Sequence, residues 1–368
     1  MIPPDEALSE SVQLTGAFPG GNPRSPEGVV QDAPGRFRVY PECESGETPA
    51  YKFRCDLQAI NRSPEARRVE LRIHWRETNF AALRDHLYLR VPPDDGWTAF
   101  SAKDIDQRGA VTFELDLPPG HVDISQQPRF GQRRLWELPR GIETQPFITI
   151  NTWPNQQPRA PIHWIRVSGG GAEKPAILAA GGVHPYETAG MYCVEGMLRR
   201  LASDREFRAE VTRRHDILLI PMIAPEGVNR GYCRMNGNGD PGIDLSRGWD
   251  DSDPACRLLL RLTGQYRIAG YMEIHNWMFP DIDGVLNMNR LRTLRFRNIL
   301  GKKPGPAKPW KEEYRYGFVP RNPRGVMKWM KEKTGCACLT LEYPWRGRSV
   351  EDMSDLGAET LKAFCAIL

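Results

Sequence analysis

The segment Ala176-Ile-Leu-Ala-Ala180, followed by His184-Pro-Tyr-Glu187, decides the fold. Its first part is a short, continuous apolar run, as expected of a strand that is buried on both faces of a sheet. Its second part places an imidazole and a carboxylate just beyond that strand. Three further apolar runs lead in the same way into reactive segments, which are Arg234 with Asp244–Arg247, Glu273–His275 and Leu341–Glu342. Because ligands bind outside the carboxyl ends of strands in open α/β sheets, the four segments are predicted to meet at one site.

The first part of the chain has a different pattern. Apolar and polar residues alternate strictly within four segments, near residues 51–59, 69–75, 87–91 and 111–117. Such period-two segments, separated by Pro, Gly and Asp clusters, predict half-buried antiparallel strands. We therefore predict an N-terminal antiparallel β-sandwich domain over residues 1–145. The first thirty-odd residues are rich in Gly, Pro and Ser, and are predicted to form an arm or loop.

From about residue 145, continuous apolar strands alternate with helix-like stretches. This pattern predicts an α/β domain over residues 146–368, with a mixed, largely parallel sheet and helices on both faces. The predicted helices are Thr188–Ala202, Pro254–Thr263, Asn289–Leu300, Pro323–Lys333 and Asp355–Ile367.

Composition narrows the class of protein. Of the 368 residues, 40% are hydrophobic and 26% charged, which is ordinary for a globular protein, and the net charge of +4 is too small to indicate a nucleic-acid partner. We find no run of about 18 apolar residues and no secretory pattern at Met1–Glu6, so neither a membrane span nor export is predicted. The eight cysteines lack Cys-x-x-Cys spacing and are expected to be reduced thiols of a cytoplasmic protein. The oligomeric state is left open.

The candidate metal ligands come from the segments that follow strands. His184 and Glu187 are three residues apart on a tight turn before a predicted helix, so both can reach one ion. Catalytic zinc usually takes three such protein ligands and keeps an open position for water. Of the seven histidines, only His184 and His275 follow strands in the α/β part, whereas His215 precedes its strand. We therefore predict one Zn²⁺ ion and a hydrolytic enzyme.

Carboxylates and arginines supply the remaining chemistry. Glu342 ends an apolar strand and could take a proton from a zinc-activated water and pass it to a leaving amine. Glu273 is the competing carboxylate, but it precedes His275 by two residues and could instead orient that ligand. Of the two arginines, Arg234 and Arg247, one could stabilise an oxyanion and the other could clamp a substrate carboxylate.

The order of these motifs resembles the zinc carboxypeptidases, and most closely their cytosolic-carboxypeptidase branch. The resembling stretches lie within residues 176–342 and are Val183–Thr188, Ile220–Val228, Gly231–Arg234, Ile243–Arg247, Glu273–His275 and Thr340–Glu342. A β domain ahead of the catalytic domain is also similar to that branch. The resemblance implies that His184, Glu187 and His275 bind zinc and that Glu342 is the general base.

The resemblance also implies roles in substrate binding. Arg234 would polarise the scissile carbonyl, and Arg247 would grip the terminal carboxylate of the substrate. The family usually has Asn-Arg where this chain has Ser246-Arg247, so Ser246 is predicted to bind the substrate beside Arg247, with one hydroxyl donor in place of an amide. Carboxylate recognition is therefore expected to be weakened or altered. The family's substrate-capping tyrosine is expected at Tyr316, with Tyr314 as the second candidate.

These observations predict a cytosolic zinc metallocarboxypeptidase that cleaves a C-terminal residue from a peptide or modified amino acid. Two alternatives stay open, a zinc-dependent deacylase or amidohydrolase of an N-acyl amino acid and a catalytically inactive binding protein. The expected partner is a peptide or acylated amino acid with a free carboxylate, with no nucleic acid and no membrane. Four arginines favour such a carboxylate-bearing substrate, namely Arg230, Arg234, Arg247 and Arg290.

Overall fold

The computed structural model describes residues 11–44, 54–75, 85–106, 108–154, 160–171, 173–237, 242–276, 283–300 and 323–368. The chain divides into two compact units. One consists of Met1–Arg129 with Gly227–Arg234, and the other of Phe130–Glu226 with Met235–Leu368. A compact unit is not by itself an independently folding domain, so the predicted domains 1–145 and 146–368 stay a prediction.

The first unit is built from two sheets. Its strands are β1 Val12–Thr15, β2 Val29–Ala33, β3 Arg36–Val39, β4 Asp56–Asn61, β5 Arg67–His74, β6 His86–Arg90, β7 Thr98–Ser101, β8 Asp104–Ile105, β9 Ala110–Leu117 and β10 Gly120–Ser125. One sheet has the order β1-β4-β10-β6-β7 and the other β2-β3-β5-β9-β8. All pairs are antiparallel except β3 with β5. Alternate residues from both sheets, such as Leu57 and Phe113, form one buried core, and the predicted antiparallel architecture of this part of the chain is confirmed.

The prediction of an arm or loop over the first thirty-odd residues was wrong for two segments. Val12–Thr15 pairs with β4 as an edge strand, and Val29–Ala33 pairs with β3. The Gly- and Pro-rich residues between these strands form no further strand; they contain a 3₁₀ turn at Pro26–Gly28 and an isolated bridge from Asn22 to Asp56. The strands were missed because each is only four or five residues long. β1 also depends on a partner, β4, that is distant in sequence, whereas β2 forms a hairpin with β3.

The second unit contains a seven-stranded sheet. Its strands are β11 Ile148–Trp153, β12 Ile162–Val167, β13 Ala176–Gly181, β14 Asp216–Ile220, β15 Ile268–His275, β16 Gly284–Leu286 and β17 Ala337–Glu342, in the order β11-β12-β14-β13-β15-β17-β16. The four strands β14, β13, β15 and β17 are parallel, and the remaining pairs are antiparallel. The predicted mixed sheet is confirmed, with its parallel part at the centre.

The helices are α1 Gln132–Glu137, α2 Thr188–Ser203, α3 Arg205–Val211, α4 Pro225–Arg230, α5 Pro254–Gln265, α6 Arg290–Leu300, α7 Gly325–Thr334 and α8 Val350–Ile367. All five predicted helices are present. The last begins at Val350 rather than Asp355, because Ser349 and Asp352 form a reciprocal capping box. Within the described part of the chain, no helix combines the length and apolar character required to cross a membrane.

Helices cover both faces of the large sheet. On one face, α5 and α7 pack through Leu259 and Met330 onto strand residues such as Leu178. Side chains alternate between the two faces along each strand, so other strand residues, for example Ile274, point to the opposite face. There α2 lies directly on β15, since a Cβ atom at Gly190 would stand 1.9 Å from the carbonyl oxygen of Ile274.

Candidate metal centre

The turn after β13 presents His184 and Glu187. The backbone N–H of Glu187 donates to the carbonyl of His184 at 3.1 Å, which closes the turn. Glu187 then occupies the N-cap position of α2. Both side chains are buried, at 7% and 5% exposure, so their polar atoms must find partners within the protein.

His275 reaches the same place from the end of β15. β13 and β15 are parallel neighbours, with Gly181 paired to Ile274, so the two strands end side by side. The absent side chain of Gly190 lets α2 approach the β15 backbone at Ile274. This close approach brings the start of α2, with Glu187, next to His275.

The three side chains form a compact cluster. The Nδ1 atom of His184 lies 2.8 Å from Oε1 of Glu187, and the Nδ1 atom of His275 lies 2.7 Å from Oε2. One potential ligand atom from each residue lies within 4.8 Å of the others. Two imidazole nitrogens and a carboxylate are a donor set of catalytic zinc sites. His184, Glu187 and His275 therefore fit a divalent metal ion, as the sequence predicted.

The electrostatics of the cluster favour a charged carboxylate. Burial is the largest single effect and lowers the pKa of both imidazoles. Glu187, together with Asp244 at His184 and with Glu273 and Glu342 at His275, outweighs it, so the pKa of His184 is raised and that of His275 is raised well above its usual range. Burial raises the pKa of Glu187, but the two imidazoles together lower it by a larger amount, so the net effect is a decrease. A cation bound among them would displace the Nδ1 protons, so metal binding is expected to release protons.

The Nε2 atoms of both imidazoles also have polar partners. Nε2 of His275 lies 3.3 Å from Oε2 of Glu273, and Tyr271 donates its hydroxyl proton to Oε1 of Glu273 at 2.9 Å. Nε2 of His184 lies 2.7 Å from Oγ of Ser246 and 3.4 Å from Oδ1 of Asp244. Such outer partners orient metal-binding imidazoles and fix which nitrogen carries the proton.

Asp244 is a site residue that sequence reasoning missed. It was recognised only as part of a motif, without a role of its own. Its Asp-x-Ser spacing is the available signal, because an Asp side chain commonly accepts from the backbone N–H two residues further on. Here Ser246 N donates to Oδ1 of Asp244 at 2.9 Å.

Glu342 lies beside the cluster on the neighbouring strand. It is paired with His275 across the β15–β17 ladder, and its side chain is half-buried, whereas that of Glu273 is buried. Glu273 is engaged with Tyr271 and His275. Of the two competing carboxylates, Glu342 is therefore the more accessible to an incoming molecule.

Arg247 lies next to the same cluster. The turn Asp244–Gly248 is closed by Arg247 N donating to Asp244 O at 2.9 Å. The start of α7 packs against this turn, since a Cβ at Gly325 would stand 2.2 Å from the carbonyl oxygen of Leu245. The Arg247 side chain is exposed, and its Nη1 donates to Oγ of Ser246 at 2.9 Å.

The predicted site also includes three further arginines and two tyrosines. Arg234 belongs to the first compact unit, where its side chain is buried and its backbone N–H donates to the Glu44 carboxylate. Arg230 donates to the hydroxyl of Tyr232 at 3.1 Å in that same unit. Arg290 is exposed at the first residue of α6. Tyr316 and Tyr314 lie outside the described residues.

Comparison with known proteins relates part of the sequence to one family. Residues 159–257 match the zinc carboxypeptidase family. Over 102 residues, 27% of this chain, the sequence is 38% identical to cytosolic carboxypeptidase 6 of Mus musculus, of which the match covers only 18%. This part of the chain is therefore similar to the zinc carboxypeptidase family.

Solved structures share the fold over nearly the whole chain. A metallo-carboxypeptidase from Burkholderia cenocepacia has a TM-score of 0.79 and 16% identity, covering 97% of this chain and 98% of its own. A metallo-carboxypeptidase from Pseudomonas aeruginosa, in complex with (2-guanidinoethylmercapto)succinic acid, has a TM-score of 0.78 and 15% identity, covering 96% of this chain and 98% of its own. The fold is therefore that of the metallocarboxypeptidases.

Proposed function

We propose that this protein is a zinc-dependent metallocarboxypeptidase that removes a C-terminal residue from a peptide or modified amino acid. One observation carries the proposal: the Nδ1 atoms of His184 and His275 converge on the two carboxylate oxygens of Glu187. These are the residues proposed to hold a single Zn²⁺ ion. When bound, zinc supplies a Lewis acid that polarises a carbonyl and lowers the pKa of a water molecule towards about 7.

The general base is proposed to be Glu342. Its half-buried carboxylate would accept a proton from the attacking water and deliver it to the amine that leaves when the amide bond breaks. The position of Glu342 on the strand next to His275 supports this role. A neighbouring carboxylate already engaged with two partners, such as Glu273, is less suited to moving a proton.

Three further residues are proposed to act on the substrate. Arg234 would stabilise the negative charge that develops on the carbonyl oxygen. Arg247 would bind the terminal carboxylate through its planar guanidinium, which matches a carboxylate in a two-bond fork. Tyr316 is proposed to cap the substrate. Ser246 was expected to assist Arg247 as a donor to that carboxylate.

The substrate is proposed to be a peptide or acylated amino acid with a free carboxylate. The exposed Arg247 guanidinium supports this class of substrate. The Pseudomonas aeruginosa relative is in complex with a succinic acid derivative, which is itself a carboxylate. A cytoplasmic location is also proposed, on the basis of the cytosolic relatives and of eight free cysteines.

A zinc-dependent deacylase is a second candidate, favoured by one observation. The hydroxyl of Ser246 donates to Asp244 rather than outward, so this segment offers a substrate carboxylate fewer donors than an Asn-Arg pair would. The third possibility, an inactive binding protein, is disfavoured by the converged ligand set.

The test compares one peptide in two forms, with a free C-terminal carboxylate and with a C-terminal amide. The protein is first stripped with a chelator and then reconstituted with zinc, and its metal content is measured. A carboxypeptidase should cleave the free acid and leave the amide intact, and only after reconstitution. Equal cleavage of both forms would count for the deacylase, and absence of zinc uptake would remove the enzymatic proposal. A panel of C-terminal residues then defines specificity.

A further inference from the structure

We infer that Ser246 is a positioning residue that holds the metal-binding imidazole of His184 and ties it to Arg247, rather than a donor to the substrate. The inference rests on the proposed function, because it concerns how this chain builds its zinc site. It also explains what the serine does where the related enzymes usually have asparagine.

The hydroxyl of Ser246 has three polar neighbours. It lies 2.7 Å from Nε2 of His184, 2.9 Å from Nη1 of Arg247 and 2.8 Å from Oδ1 of Asp244. A serine hydroxyl has one proton to donate and two lone pairs that accept. The three neighbours at hydrogen-bonding distance therefore use all of the hydrogen bonds that the Ser246 hydroxyl can make.

The direction of each hydrogen bond follows from the chemistry of the partners. Nδ1 of His184 faces Glu187, so for metal binding it must be the unprotonated nitrogen, and Nε2 must carry the proton. Nε2 of His184 and Nη1 of Arg247 are thus both donors, and they occupy the two lone pairs. The Asp244 carboxylate can only accept, so the hydroxyl proton points towards it.

Two consequences follow for the site. The Ser246 hydroxyl has no proton left for a substrate carboxylate, so carboxylate recognition in this segment falls to Arg247. The same oxygen also joins the imidazole to the arginine, so the position of the proposed carboxylate clamp is fixed relative to a proposed zinc ligand.

Asp244 cannot take over the contact between Ser246 and Nε2 of His184 without a rearrangement. Its Oδ1 lies 3.4 Å from Nε2 of His184, beyond the 2.7–3.2 Å of a good N–H···O bond. Without the hydroxyl, the imidazole would either lose a strong partner or tilt towards Asp244 and away from its position beside Glu187. Loss of such an outer partner typically weakens metal binding about 10–100-fold.

The experiment measures zinc affinity directly, by competition with a chromophoric chelator, and needs no turnover. The matched pair is Ser246→Thr and Ser246→Val, which have nearly the same shape and differ in the hydroxyl. Zinc affinity should be retained in the Thr variant and fall about 10–100-fold in the Val variant. Ser252→Ala is the control, because Ser252 has the same Asp-x-Ser turn, with its N–H donating to Asp250 Oδ1 at 2.7 Å, on an exposed loop. It should bind zinc as the wild type does.

Equal zinc affinities for the Thr and Val variants would overturn the inference, and so would a Val variant that only raises KM for a free-acid substrate. The thermal melting of each metal-free variant separates a loss of folding from a loss of zinc affinity. If the wild-type protein binds no zinc, the proposed function fails and this inference fails with it. If the wild type binds zinc and the pair does not differ, the inference alone is wrong.

Discussion

His275 and Glu342 are direct partners across the parallel ladder between β15 and β17. Immediately beyond them, the N–H of Tyr343 donates to the carbonyl of His275 at 3.0 Å, which ties the two strand ends together. Paired residues of adjacent strands point to the same face. The strand register thus places a proposed zinc ligand and the proposed base side by side, and a slip of one residue would turn Glu342 to the opposite face.

Replacing Glu342 by Gln is expected to abolish most hydrolysis while zinc remains bound. The amide keeps the shape of the side chain but cannot accept the proton, and a general base is typically worth about 10²–10⁴-fold in rate. kcat on a free-acid peptide and the zinc content measure the two effects separately. Glu332→Gln is the control, because Glu332 is an exposed carboxylate of α7. A Glu342→Gln enzyme with wild-type kcat would exclude this residue as the base.

Replacing Arg247 by Lys is expected to raise KM for free-acid peptides more than it lowers kcat. A lysine keeps the charge but loses the two-bond fork that matches a carboxylate. Steady-state kinetics on peptides with free and amidated C-termini check this expectation. Arg257→Lys, an exposed position on α5, controls for general effects of the substitution. Unchanged KM for the free acid would argue against Arg247 as the carboxylate clamp.

Gly190→Ala is expected to destabilise the protein and weaken zinc binding together. The added Cβ would stand 1.9 Å from the carbonyl oxygen of Ile274, so α2 must move away from β15 and carry Glu187 with it. Overpacking of this kind typically costs about 1–3 kcal/mol. The melting temperature and the zinc dissociation constant measure the two effects.

Gly264→Ala is the matched control for that substitution. Gly264 lies near the end of α5, and a Cβ there would meet no atom within 4 Å. Because alanine is the better helix former, this variant should gain about 0.5–1 kcal/mol in stability and bind zinc normally. Equal behaviour of the two variants would mean that the approach of α2 to β15 does not hold the site together.

Much of the candidate site could be predicted from the sequence because its proposed ligands follow apolar strands. The continuous runs before His184, His275 and Glu342 identified parallel central strands, and parallel strands deliver their final residues to one edge. The proposed clamp at Arg247 was found from its motif. For these residues, local pattern and tertiary position agree.

Some features were missed because they depend on contacts between distant residues, and others because they are short or lie at the end of a helix. β1 is a short edge strand that pairs with the distant strand β4, and β2 is a short edge strand in a hairpin with β3. Asp244 has no local feature that indicates a role towards His184, because their proximity arises from separate loops that meet at the sheet edge. The start of α8 was predicted five residues late, although the Ser349–Asp352 capping box was present in the sequence. Hydrophobic periodicity alone is a poor guide to helix ends.

The last prediction concerns pH. In the metal-free protein, burial lowers the pKa of His184 and His275, but Glu187 and the other nearby carboxylates together more than compensate, so their folded pKa values exceed 6.5. Their contribution to stability is therefore complete below pH 6.5 and is lost as pH rises through the folded pKa values. Burial raises the pKa of Glu187, yet the imidazoles bring it below 4.5, so its contribution is present above pH 4.5 and is lost as pH falls. The cluster should stabilise the metal-free protein most between pH 4.5 and 6.5.

At higher pH, zinc should offset the loss of stability that is expected for the metal-free protein. Binding requires unprotonated Nδ1 atoms, so zinc affinity should rise with pH until both imidazoles have lost their protons. Melting temperatures measured from pH 4 to 9 on chelator-treated and zinc-loaded samples should therefore diverge as pH increases. Glu187→Gln removes the charge that raises both imidazole pKa values, so in this variant the metal-free maximum should flatten. A wild-type profile indistinguishable from that variant, with and without zinc, would show that the three side chains do not act as one charged cluster.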